Sequence, residues 1–88
     1  MLERRIILRS YGGLHSRPAS ELVRIANQFE SEIFLEKDGN KVNAKSILGL
    51  LTLAAVDGSE LILSADGEDE EQALAEISQF LLSLKGRR

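Results

Sequence analysis

Three Asp-Gly pairs, at 38–39, 57–58 and 66–67, punctuate this 88-residue chain from residue 38 onward. Asp-Gly is a strong turn signal, because both residues accept the positive φ that tight hairpin turns require. The apolar residues between and before these turns follow two different spacings. Four runs alternate with period two, as strands with one buried face do. They are Glu3 to Arg9, with Ile6 and Leu8 on one face and Ile7 on the other; Glu32 to Lys37, with Ile33 and Leu35 opposed to Phe34; a short return around Lys41-Val42-Asn43; and Glu60 to Ala65, with Leu61 and Leu63 together.

The remaining runs follow helical spacing. From Ser16 to about Glu30, Ala19, Leu22, Val23, Ala26 and Phe29 form one stripe, with Ser16 as the expected N-cap and Pro18 in the first turn, where a missing N–H does no harm. Ala73, Leu74, Ile77, Phe80, Leu81 and Leu84 form a second stripe. Asp69 with Gln72 resembles a capping box at its start, and Gly86 ends it with Lys85, Arg87 and Arg88 near the negative end. The stretch Ile47 to Ala54 reads as a short helix capped near Ser46, although periodicity alone also admits a buried strand. As a helix it turns Ile47, Leu50, Leu51 and Ala54 to the core and Leu48, Gly49 and Thr52 outward.

The element order is therefore β-α-β-β-α-β-α. A right-handed crossover from the first strand to the second leaves a gap between parallel neighbours. Filling that gap with the fourth strand, and hairpinning the third outside the second, gives an α+β fold. Its antiparallel sheet has the order 1-4-2-3, with three helices on one face. Residues 1–88 are expected to form one domain with one core.

Composition removes several functions. The chain has no cysteine, which excludes a thiol nucleophile, and its single histidine leaves only carboxylates as further metal ligands. Net charge is −3, against general nucleic-acid binding. Apolar runs fall far short of the roughly 20 residues of a membrane span, and the N-terminus lacks the apolar core of a signal peptide, so a cytoplasmic protein without membrane insertion is expected. No Gly-x-Ser-x-Gly elbow supports a serine hydrolase.

The only histidine and the only proline lie in one octapeptide, Gly12-Gly13-Leu14-His15-Ser16-Arg17-Pro18-Ala19. Glycines loosen the backbone before the imidazole, a helix starts after it, and a guanidinium follows two residues on. His15 is thus expected at a helix mouth, beside unpaired N–H groups and the positive end of the macrodipole. A neutral imidazole is a competent nucleophile toward a phosphoryl group, and the oxygens of a transferred phosphate would find the amides and Arg17. Basic residues Arg4, Arg5, Arg9, Arg17 and Arg24 crowd the first third of the chain, a distribution that steers anionic groups toward this site.

Gly13-Leu14-His15-Ser16-Arg17-Pro18-Ala19 resembles the G-[LI]-H-x-R-P-A phosphorylation signature of the HPr family, the histidine-containing phosphocarriers of the bacterial phosphoenolpyruvate-dependent sugar phosphotransferase system. Length, element order and the segment Lys45-Ser46-Ile47-Leu48-Gly49-Leu50 are similar as well. The resemblance implies an HPr-like open-faced β-sandwich in which His15 accepts a phosphoryl group on Nδ1 from enzyme I and passes it to the IIA domain of a sugar permease. Arg17 would stabilise the phosphate and partner contacts, and Ser16 would keep the helix cap and a backbone donor. It further implies a docking surface of Ser20, Arg24, Leu48, Gly49, Leu51 and Thr52. Ser46 matches a serine that, in some bacteria, is phosphorylated by an ATP-dependent HPr serine kinase/phosphorylase. No cofactor and no metal are implied; such a protein is a carrier in a relay rather than an independent enzyme. A monomer is expected from the polar helix backs. Two other readings stand beside this one: a nitrogen-related phosphotransferase carrier with a regulatory role, and a regulatory domain that binds an anion without covalent chemistry.

Overall fold

The computed structural model describes residues 1–86; Arg87 and Arg88, expected to complement the last helix, lie outside the described residues. The elements are β1 (Leu2–Ile7), α1 (Ser16–Ala26), β2 (Glu32–Lys37), β3 (Asn40–Asn43), α2 (Ile47–Thr52), β4 (Glu60–Asp66) and α3 (Glu70–Ser83), with a 3₁₀ turn at Leu84–Gly86. The sheet has the order β1-β4-β2-β3, antiparallel throughout, as the crossover argument required. Register explains why one face is apolar. Ile6 lies opposite Leu61, Leu63 opposite Leu35, and Ala65 opposite Ile33, so all six point to the same side, and all six are buried. The helices supply the rest of that core: Ala19, Leu22 and Ala26 from α1, Leu50 from α2, and Ala73, Leu74, Ile77, Phe80 and Leu81 from α3. On the open side Phe34 lies beneath the Lys41 ammonium, 5.5 Å from the ring centre. The turn between β2 and β3 has φ of 52° at Asp38 and 82° at Gly39, the paired positive values for which Asp-Gly is selected.

Several expected boundaries shift, each for a tertiary reason. The first helix stops at Ala26, not near Glu30. Its last turn tightens instead, with Gln28 N–H donating to the Ile25 carbonyl and Phe29 N–H to Ala26, while Lys45 Nζ donates to the Phe29 carbonyl at 2.8 Å. Phe29 is buried all the same. The second helix ends at Thr52 because Ala54 adopts a left-handed φ of 56°. Its inward stripe is consequently Ile47, Leu50 and Leu53; Leu51 is 40% exposed and Ala54 is exposed, which corrects their assignment to the core face.

The expected capping box is also replaced. Asp69 is the N-cap of α3 but makes no side-chain bond to its own helix. Its carboxylate reaches back to the α1–β2 loop, where it accepts from the N–H groups of Glu30 and Ser31 at 2.9 and 3.0 Å and from the Ser31 hydroxyl. Glu70 Oε1 accepts from Gly67 N–H instead. The Ser31 hydroxyl, followed by the Glu30 amide, holds the Asp69 carboxyl below its ordinary value of 3.8. A depressed carboxylate contributes stability that is fully present above the unfolded-state value and is lost as pH falls through the folded one. Urea midpoints of the wild type should therefore fall more steeply than those of Asp69→Asn as the buffer is taken from neutral to below pH 4; parallel curves would contradict the role given to Asp69.

Ser78 lies on the buried side of α3, 1% exposed, and its hydroxyl finds no hydrogen-bond partner among the described residues. Leaving a hydroxyl unpaired in an apolar setting costs roughly 1–3 kcal/mol. Ser78→Ala is expected to raise stability by about 1 kcal/mol, read from the urea unfolding midpoint. Among the described residues no helix is long and apolar enough to cross a membrane.

Candidate functional site: the mouth of the first helix

The helix begins one residue earlier than the sequence suggested. His15, not Ser16, is the N-cap, with extended backbone angles and no side-chain cap bond; Ser16 is the first helical residue. The first intrahelical bond runs from Ala19 N–H to the His15 carbonyl at 2.9 Å. Pro18 has no N–H to offer, so the helix mouth presents two amides, those of Ser16 and Arg17. Among the described residues neither amide donates a hydrogen bond. The sequence expected a hydroxyl cap here; its absence leaves these donors open to an incoming anion.

The His15 ring is exposed, and its orientation is set by Gly12. A Cβ on Gly12 would lie 2.6 Å from His15 Cδ2 and 2.9 Å from Nε2. The Cδ2–Nε2 edge therefore rests on the Gly12 backbone, and the opposite edge, which carries Nδ1, points away from it. Gly12 is thus a seat that any side chain would obstruct, a role invisible in a motif that begins at Gly13. Next to it, Gly13 has φ of +67°, and its backbone lies so close to Ala55 that a Cβ would meet the Ala55 carbonyl oxygen at 2.4 Å.

That approach belongs to a brace that local sequence patterns could not reveal. Leu8 continues the β1 direction by exchanging bonds with the 58–59 turn: Leu8 N–H to Ser59 carbonyl at 2.8 Å and Gly58 N–H to Leu8 carbonyl at 2.7 Å. Ser10 N–H donates to Asp57 Oδ1 at 2.9 Å, and Leu14 N–H to the Ala55 carbonyl at 2.9 Å. The Ser10 hydroxyl closes the loop on the Gly13 carbonyl at 2.9 Å. The histidine loop is thus fixed along its length to the segment between α2 and β4.

His15 and Arg17 line one open groove of about 560 Å³ together with Tyr11, Gly12, Pro18 and Leu84. Tyr11 and Leu84 were not singled out by the sequence; only the helical stripe that ends at Leu84 hinted that the C-terminal turn returns here. Arg17 enters none of the ion pairs found among the described residues. Ser20 and Arg24 continue the exposed side of α1, with Arg24 in its last turn, where its charge also suits the negative helix end.

The second predicted segment lies outside this groove but on a helix packed against α1. Ser46 caps α2: its Oγ accepts from Gly49 N–H at 3.1 Å. Leu48 is 72% exposed, and with Leu51 it forms an apolar patch; Thr52 is exposed and donates its hydroxyl to the Gly49 carbonyl. Gly49 is half-buried, with Val42 3.3 Å from the position of a would-be Cβ. Among the described residues no three His, Cys, Asp or Glu side chains come together as a metal site.

An antiparallel 1-4-2-3 sheet layered with helices, presenting an uncapped helix mouth beside an exposed imidazole, defines a class of small histidine-centred α+β domains. Comparison with known proteins places the chain within it. The family described as "PTS HPr component phosphorylation site" matches residues 2–83. The phosphocarrier protein HPr of Borreliella burgdorferi is 41% identical over 85 residues, 97% of this chain and 99% of the relative. The HPr-like protein Crh of Bacillus subtilis is 48% identical over 81 residues, 92% of this chain and 95% of the relative. Its crystal structure, described as a domain-swapped dimer, covers 94% of this chain and 95% of its own with a TM-score of 0.77. The crystal structure of HPr-C-His from Thermoanaerobacter tengcongensis matches with a TM-score of 0.94 and 42% identity, covering 100% of this chain and 99% of its own. The chain belongs to the HPr family of phosphotransferase-system phosphocarriers.

Proposed function

We propose that this protein accepts a phosphoryl group from phospho-enzyme I, drawn originally from phosphoenolpyruvate, on Nδ1 of His15 and delivers it to the IIA domain of a sugar permease. The observation that carries the proposal is the seating of the imidazole: an exposed ring with its Cδ2–Nε2 edge against Gly12, and two undonated amides with Arg17 beside it. In the transfer the Nδ1 lone pair forms the new P–N bond while the P–N bond on the donor breaks; the proton stays on Nε2 and no further reactant is consumed. The phosphoryl oxygens then lie toward the N–H groups of Ser16 and Arg17 and the Arg17 guanidinium, a geometry that favours the charged product. Exposure of Ser20 and Arg24 on α1 and of Leu48, Leu51 and Thr52 on α2, a helix packed against α1, supports a docking surface of these residues with Gly49. On this reading the chain works as a single-domain cytoplasmic monomer without a cofactor of its own.

The test is incubation with phosphoenolpyruvate and a bacterial enzyme I. One phosphate per chain is expected, stable in alkali and lost in acid. No incorporation, or an acid-stable phosphate, would overturn the proposal and favour non-covalent anion binding.

Similarity to Crh, described as the catabolite repression HPr of Bacillus subtilis, supports a second, regulatory reading, for which the N-cap Ser46 is the residue the sequence singles out. A phosphate on this N-cap oxygen would keep a favourable position at the start of α2 while placing about two negative charges beside the Leu48–Leu51 patch. Its effect would be on docking and not on helix stability. Incubation with ATP and an HPr serine kinase should modify Ser46 and weaken acceptance from enzyme I; failure of the wild type to be modified would remove this reading.

A further inference from the structure

We infer that Asp57 is a positioning residue for phosphoryl transfer at His15, acting through the backbone of Ser10; the inference rests on the phosphocarrier reading above. Asp57 is exposed in the turn before β4, 47 positions along the chain from its partner, yet its Oδ1 accepts from Ser10 N–H at 2.9 Å. Ser10 is 7% exposed, and it stands beyond the end of β1, in the loop that leads to the histidine. Two further bonds tie Ser10 to Gly13: its carbonyl accepts from Gly13 N–H at 3.0 Å, and its hydroxyl donates to the Gly13 carbonyl at 2.9 Å. Gly12, enclosed between these two residues, is the surface on which the Cδ2–Nε2 edge of His15 rests. A chain of contacts therefore runs from the Asp57 carboxylate to the imidazole: Oδ1 to Ser10 N–H, the Ser10–Gly13 turn, the Gly12 seat, the ring.

Chemistry accounts for the use of a side chain at this point. Beyond Leu8 the two segments no longer exchange backbone bonds in strand fashion, so Ser10 N–H has no carbonyl opposite it. A carboxylate oxygen supplies the missing acceptor, and a charge-assisted bond is stronger than the backbone bond it replaces. The same depression holds Arg9 and Lys85, whose charges suit a carboxylate kept in place. With the acceptor lost, the Ser10–Gly13 turn is free to shift, and a displacement of the order of 1 Å at a reacting atom lowers transfer rates strongly.

The experiment measures phosphoryl acceptance from phospho-enzyme I for the wild type, Asp57→Ala and Asp57→Asn. Asp57→Ala should lower kcat about tenfold with KM for the carrier unchanged, because the docking surface is untouched. Asp57→Asn, which retains Oδ1 as an acceptor, should recover most of the loss. The ring C–H resonances of His15 should move in Asp57→Ala and stay near their wild-type positions in Asp57→Asn, with urea midpoints confirming that both variants are folded under assay conditions. Wild-type kcat in Asp57→Ala, or an equal loss in Asp57→Asn, would overturn the inference. If the wild type takes no phosphate at all, it is the phosphocarrier reading that fails.

Discussion

His15→Ala is expected to abolish phosphoryl acceptance from enzyme I completely while leaving the fold intact. The two halves of this expectation come from different observations. The chain contains no second histidine and no cysteine, so no other side chain supplies a nucleophilic nitrogen or sulfur of this kind. His15 is also exposed, and although it occupies the N-cap its side chain makes no capping bond. The capping contribution of position 15 is its carbonyl, which accepts from Ala19 N–H and survives substitution. Truncation should change stability by no more than about 0.5 kcal/mol, the usual range for an exposed side chain that makes no cap hydrogen bond. The measurement pairs phosphate incorporation with urea unfolding. Residual acid-labile phosphate in the variant would place the acceptor elsewhere; a large stability loss would mean the ring is structural after all.

Gly13→Ala is expected to have the largest effect on stability. Two penalties combine there. A left-handed φ of +67° costs a residue with a Cβ roughly 1–2 kcal/mol, and the Cβ would stand 2.4 Å from the Ala55 carbonyl oxygen and 2.9 Å from Val56 Cα. Neither neighbour is a side-chain tip that could swing aside; both are backbone in the brace. Forcing them apart adds about 1–3 kcal/mol and breaks the Leu14–Ala55 hydrogen bond that holds the histidine loop. A total of about 2–5 kcal/mol is a large share of the 5–15 kcal/mol typical of a domain. Gly39→Ala is the matched control: its φ of +82° is equally left-handed, but a Cβ there meets nothing within 4 Å. Urea midpoints should therefore rank wild type above Gly39→Ala and Gly39→Ala well above Gly13→Ala. Equal midpoints for the two variants would contradict the close approach of the loops.

These two positions also mark what the sequence alone makes legible and what it does not. The sheet was legible because Ile33/Leu35 and Leu61/Leu63 declare their faces by alternation, and handedness leaves few ways to connect the strands. The octapeptide was legible because glycine, histidine and proline each restrict the backbone in known ways. What escaped were hydrogen bonds between residues far apart in sequence. Asp69 has the spacing of a capping box with Gln72, yet it is drawn 38 and 39 positions back to Ser31 and Glu30, whose amides the short α1–β2 loop leaves unpaired. Leu51 fitted a helical stripe, but the left-handed Ala54 ends the helix early and brings Leu53 inward in its place. Ser16 was the better cap by residue type; the extended backbone of His15 moved the boundary by one residue and left the helix mouth uncapped. In each case a local preference was outweighed by a tertiary bond or by one backbone angle.

The account depends most on the pairing of an exposed imidazole, turned with its Cδ2–Nε2 edge to Gly12, with two undonated amides. Phosphorus and amide spectra of uniformly labelled protein, recorded before and after treatment with enzyme I and phosphoenolpyruvate, test that pairing directly. A single phosphohistidine resonance of the Nδ1 type should appear, with the amide protons of Ser16 and Arg17 moving strongly downfield as they begin to donate. Phosphate on Nε2, or an Nδ1 phosphate that leaves both amides where they were, would contradict it.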